Sequence, residues 1–149
     1  MTIFTNMGGG LCILVADDDL DDLSFLKDAC YNIAPQVIIF SVRNGKDVFD
    51  TLNRMGDYEL PSLIILDFNM PLLNGLQVLK RLKLADRYRS ISTVIYSTGV
   101  DPFIIGEILT SGALGFFQKS DTAKEIESDL RRMFLTSNLI QGQLILALR

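Results

Sequence analysis

The chain has 149 residues, 48% of them hydrophobic, the length and apolar content of a single domain with a full core. Its formal net charge of -4, with no run of Lys or Arg, argues against nucleic acid as the main ligand, because phosphate binding needs a basic face. Two cysteines and no histidine exclude a disulfide scaffold, a histidine general base, a histidine metal ligand and a phosphohistidine carrier, and no apolar stretch reaches the roughly 18 residues of a membrane span.

Segment 1–10 has no basic n-region and no long apolar run, so it reads as a flexible lead-in and not as a signal peptide. Gly8-Gly9-Gly10 precedes a strand and lacks a Lys-Ser/Thr partner, so it is a linker and not a phosphate loop. Leu11 to Ala16 is a continuous apolar run that ends in Asp17-Asp18-Asp19. Leu20, Leu23, Phe25, Leu26, Cys30 and Ile33 recur at helical spacing, which predicts a helix over Asp19 to Ile33 closed by Pro35. Val37 to Val42 is a second strand, and Asn44-Gly45 turns the chain into a helix with Val48, Phe49, Leu52 and Met55 inward, ending at Gly56. Leu63 to Leu66 is a third apolar strand that stops at Asp67, before Phe68-Asn69-Met70-Pro71 and Asn74-Gly75. A helix over Gly75 to Ala85, a strand over Thr93 to Ser97, a helix from Pro102 to Gly112, a strand over Gly115 to Gln118 and a helix over Thr122 to Leu135 complete the series.

Strands that alternate with helices and read as unbroken apolar runs call for a parallel sheet covered on both faces. In such a sheet ligands bind outside the carboxyl ends of the strands, where Asp17, Asp67, Ser97 and Lys119 all fall. Two strand ends thus carry acids. Carboxylates within about 4 Å repel by roughly 4 kcal/mol per pair at an effective dielectric of 20, so the cluster implies protons or a hard, oxygen-seeking cation such as Mg2+.

Over Leu11 to Leu135 these residues resemble the receiver domain of two-component response regulators. The acidic pair resembles Asp17-Asp18, the phospho-accepting aspartate resembles Asp67 within Leu66-Asp67-Phe68-Asn69-Met70-Pro71, the switch hydroxyl resembles Ser97, the aromatic switch position resembles Phe116, and the site lysine resembles Lys119. The resemblance implies a doubly wound, flavodoxin-like α/β fold with a five-stranded parallel sheet in the order 2-1-3-4-5, the arrangement that the receiver and flavodoxin share. It also implies Mg2+ held by Asp17, Asp18, Asp67 and the backbone carbonyl of Asn69. The implied function is a cytoplasmic phosphorylation switch and not an enzyme, catalysing only its own phosphorylation and dephosphorylation. Its implied partners are a sensor histidine kinase or histidine phosphotransfer protein and a downstream protein; the charge and the lack of a long apolar stretch argue against nucleic acid and membrane. Ser120 stands where the family usually has proline after the lysine, and Phe116 where it usually has tyrosine.

Other readings of the same residues stand beside these. Asp19, Asp21 and Asp22 read as helix-capping acids. A small haloacid dehalogenase-type phosphatase or phosphotransferase could use Asp17 with Asp19 as its nucleophile motif, although Leu20-Asp21 replaces the Thr that such a motif wants close behind. A flavodoxin-like redox module is disfavoured by acids where a flavin phosphate would sit. The expected organisation is a flexible segment 1–10, a receiver domain 11–135 and an apolar extension 136–149. In the extension Leu139-Ile140 and Leu144 to Leu148 need cover, either from their own domain or from a second copy in a homodimer.

Overall fold

The computed structural model describes residues 11–137. Five strands and five α-helices alternate: β1 (Cys12–Ala16), α1 (Leu20–Ile33), β2 (Ile38–Val42), α2 (Gly45–Arg54), β3 (Leu63–Leu66), α3 (Gly75–Leu84), β4 (Ser92–Ser97), α4 (Pro102–Thr110), β5 (Gly115–Gln118) and α5 (Ala123–Thr136). All pairings are parallel, as the alternation of strands and helices predicts, and the strand order is β2-β1-β3-β4-β5, as the resemblance to receivers implies. A single 3-10 turn over Asp57–Glu59, which the sequence pattern did not signal, joins α2 to β3.

The sheet separates two apolar layers. α1 and α5 cover one face around Leu26, Cys30, Leu130 and Phe134, while α2, α3 and α4 cover the other around Leu52, Leu79, Leu82 and Ile108. β1 and β3 are buried along their whole length, which is why they read as unbroken apolar runs. β2 lies at the edge and is not buried, with Ile38 and Phe40 exposed although its composition resembles that of a central strand.

Helix starts follow the capping residues. Asp19 caps α1 by accepting from the amides of Asp21 and Asp22, Asn44 caps α2, Asn74 and Gln77 cap α3 reciprocally, and Thr122 caps α5. Asp19 caps as its reading as a capping acid predicts, whereas Thr122, expected inside the last helix, is its cap. α4 opens with Pro102 at its first turn and closes on Ser111, followed by Gly112 at φ 107°, a conformation that favours glycine. Segment 1–10 and the apolar stretches from Leu139 onward lie outside the described residues.

Candidate functional site

The parallel register lines up the strand ends. The amide of Asp67 donates to the carbonyl of Ala16 at 2.8 Å, and the amide of Lys119 donates to the carbonyl of Ser97 at 2.8 Å. One residue past each strand, the chain therefore delivers Asp17 from β1, Asp67 from β3 and Lys119 from β5 to the same edge, with Ser97 closing β4. Gly75 closes the loop behind Asp67, its amide donating to the carbonyl of Phe68 at 2.8 Å. A Cβ on Gly75 would sit 2.5 Å from the carbonyl oxygen of Asp67, so that close approach requires glycine. Leu72, at the exposed tip of the loop, adopts a left-handed φ of 71°.

Asp17, Asp67 and Ser97 are buried. Carboxylate oxygens of Asp17, Asp18 and Asp67 lie within 4.8 Å of one another, with Asp18 exposed at the rim. The Lys119 ammonium reaches Asp17 Oδ2 at 2.6 Å, Asp22 Oδ2 at 2.7 Å and Asp67 Oδ2 at 3.2 Å. Ser97 Oγ donates to Asp67 Oδ1 at 2.5 Å, and the amide of Asp19 donates to Asp17 Oδ1 at 3.0 Å. Burial pushes the Asp17 carboxyl up to about 6 and the charge of Asp67 adds to that, against the opposing pull of Lys119 and the Asp19 amide. Burial acts against the Lys119 charge too, but hydrogen bonds to Asp17 and Asp22 and the charges of Asp67 and Asp17 outweigh it, leaving its pKa above that of an ordinary lysine. An acidic pocket with one cation and buried oxygen donors suits a hard divalent ion and the negative charge of a phosphoryl group.

The family model "Response regulator receiver domain" matches residues 13–131. The chain belongs to that family. It is 30% identical over 128 residues to the Glycerol metabolism activator of Pseudomonas putida, an alignment covering 85% of this chain and 55% of that protein's length. Among solved structures it resembles the phosphorylated cyanobacterial phytochrome response regulator RcpA, with a TM-score of 0.75 and 23% identity over 84% of this chain and 91% of that one. It also resembles the Mn(2+)-bound form of response regulator Rcp1, with a TM-score of 0.72 and 20% identity over 83% of this chain and 91% of that one. At such identities the structural likeness shows the shared fold.

Receiver domains are phospho-accepting signalling domains that bind Mg2+ or Mn2+ at an acidic pocket and interact with histidine kinases or phosphotransfer proteins. In this receiver the expected site residues Asp17, Asp18, Asp67, Ser97 and Lys119 meet at one edge. Asn69 is exposed in the loop two residues past Asp67. Phe116 lies on β5, half-buried against the layer under α4, and Thr98 is exposed beyond the strand that Ser97 closes. The peptide between Lys119 and Ser120 is trans. Asp22 departs from the expectation that it only caps α1, because it is one of three carboxylates on Lys119. Asp19 does cap α1, which leaves the dehalogenase-type pairing of Asp17 with Asp19 without its second acid. Among the described residues no helix is long and apolar enough to cross a membrane.

Proposed function

We propose that this receiver, spanning residues 11–135, is a cytoplasmic two-component switch that accepts a phosphoryl group on Asp67 from the phosphohistidine of a sensor histidine kinase or phosphotransfer protein. The observation that carries this reading is Asp67 itself: a buried carboxylate at a strand end, with one oxygen facing a serine hydroxyl and the other an ammonium. A carboxylate oxygen attacks phosphorus as the N–P bond breaks, the bonding electrons leave with the imidazole, and an acyl phosphate forms on Asp67. Phosphoryl transfer asks for positioning and charge neutralisation more than covalent assistance. Lys119 exchanges its contact with Asp67 for a phosphoryl oxygen, and Ser97 Oγ turns its hydrogen bond from the carboxylate to the phosphoryl group. That exchange frees Ser97 to move, and the half-buried Phe116 on the neighbouring strand turns inward with it.

Asp17, Asp18 and Asp67 would hold Mg2+, with the backbone carbonyl of Asn69 completing the protein's share of its ligands; three clustered carboxylates are the oxygen donors such an ion takes. When bound, the ion neutralises the charge that develops on the transferring group. Rcp1 in its Mn(2+)-bound form and RcpA in its phosphorylated form are receivers of the same fold, which supports the reading. The phosphorylated receiver then signals through contact with a downstream protein; pairing with a second copy of the chain, as a homodimer, is a separate contact.

The test is incubation of the full chain with a small phosphodonor and Mg2+, followed by intact mass. A single phosphoryl adduct, labile to hydroxylamine, is expected. Sustained release of product from many phosphate esters, without an adduct, would favour a phosphatase instead.

A further inference from the structure

Behind the acidic pocket, on the face of the sheet that α1 and α5 cover, lies a second polar cluster. Asp129 of α5 is 4% exposed, and its neighbours on the helix, Ile126, Leu130 and Met133, belong to the apolar layer. It accepts from Tyr96 Oη at 2.8 Å, from Ser120 Oγ at 2.6 Å and from Arg132 Nη2 at 2.5 Å. The amide of Ser120 in turn donates to Tyr96 Oη at 3.3 Å. Burying a carboxylate in an apolar layer is costly unless donors surround it, and here two of the three donors flank the site. Tyr96 directly precedes Ser97 and Ser120 directly follows Lys119, while the backbones of Ser97 and Lys119 are bonded to each other. The two residues that grip Asp67 are therefore held from behind by one buried carboxylate. The chain just beyond Ser120 is exposed at Asp121 and Thr122, and the cluster adds side-chain tethers beside the backbone bond between Lys119 and Ser97 at this junction.

We propose that Asp129, through Ser120 and Tyr96, positions Lys119, keeping the lysine backbone fixed while its ammonium trades a carboxylate for a phosphoryl oxygen. The proposal rests on Asp67 being the acceptor. Lys119 spans three carboxylates from three places in the chain, and its reach to each depends on where the β5–α5 junction holds its backbone. Displacements of about 1 Å in a positioned group can cost up to a hundredfold in rate. Removing one tether, the Ser120 hydroxyl, would then slow phosphorylation by about tenfold.

The test uses the full chain, a small phosphodonor in excess at fixed Mg2+, and the rate of adduct formation read by intact mass. Ser120→Ala is compared with Ser120→Thr, in both the parent and a Lys119→Met background. The expected result is slower phosphorylation in Ser120→Ala at a nearly unchanged melting temperature, recovery in Ser120→Thr, and no further slowing by Ser120→Ala once Lys119 is gone. Asp129→Asn and Tyr96→Phe should slow the reaction in the same lysine-dependent way, and the Ser120 pair decides should either fail to fold. An adduct formed at the parental rate in Ser120→Ala, or an equal fold-loss in both backgrounds, overturns the positioning role alone. Absence of any adduct on the parent chain overturns the acceptor reading, and the positioning role with it.

Discussion

Replacing Asp67 with Asn removes the proposed nucleophile and one charge of the acidic cluster together, and the geometry gives the sign of its effect on stability. The lost attraction to Lys119, at 3.2 Å, is about 5 kcal/mol at an effective dielectric of 20. The relieved repulsion from Asp17, within 4.8 Å, is at least about 3.5 kcal/mol on the same scale, and exposed Asp18 adds about 1 kcal/mol at the dielectric of water. These terms nearly cancel. Desolvation then decides, because Asp67 is only 7% exposed and an amide is far cheaper to bury than a carboxylate. Asn can also keep both contacts, turning its carbonyl to Lys119 and donating its amide to Ser97 Oγ. We expect Asp67→Asn to be more stable than the parent by about 2 kcal/mol without divalent ions, roughly 5 °C in melting temperature. The assay is thermal unfolding at neutral pH in a chelator, then in excess Mg2+. With the ion at about 100 times its Kd the parent gains about 2.7 kcal/mol, and the variant, lacking one of the three carboxylates, gains less. A variant that melts below the parent in chelator would refute the charge balance.

Asp18→Ala should lose most of the Mg2+-induced rise in melting temperature shown by the parent; an equal rise in both would remove Asp18 from the ligand set. Because burial raises the Asp17 carboxyl from 3.8 to about 6, the metal-free folded state holds its proton more tightly than the unfolded chain does. Stability should therefore fall by up to about 3 kcal/mol as pH rises from about 4 to about 6, then level off. Lys119, whose pKa is raised, keeps its stabilising charge across that window and loses it only in strong base. Urea midpoints against pH should show the decline in the parent and a flatter profile in Asp17→Asn. Gly75→Ala drives a Cβ into the carbonyl of Asp67 and should cost about 2 kcal/mol and slow phosphorylation, whereas Gly99→Ala, with open space around it, should leave stability unchanged in the same denaturant assay.

The fold was legible because its central strands are buried on both faces and so announce themselves as apolar runs that end in Asp17 and Asp67. β2 carries an apolar run as well, but nothing in that composition separates an edge strand from a central one, and Ile38 and Phe40 remain exposed. Asp22 was hidden within an acidic run in which every residue could serve as a cap; its link to Lys119 depends on tertiary contact across 97 residues. Asp129 did leave a signal. It shares the inward face of α5 with Ile126, Leu130 and Met133, and an acid at a core-facing helical position calls for donors. Those donors, Tyr96 and Ser120, come from other elements, and helical periodicity within α5 cannot name them.

The most direct test of the central claim is to locate the phosphoryl group. After reaction with a small phosphodonor and Mg2+, treatment with borohydride reduces an acyl phosphate on aspartate to homoserine, which peptide sequencing by mass spectrometry identifies. The account predicts homoserine at position 67 alone, and none after Asp67→Asn. Homoserine at position 17 or 18, or a phosphoryl group that survives hydroxylamine on a serine or threonine, would contradict it.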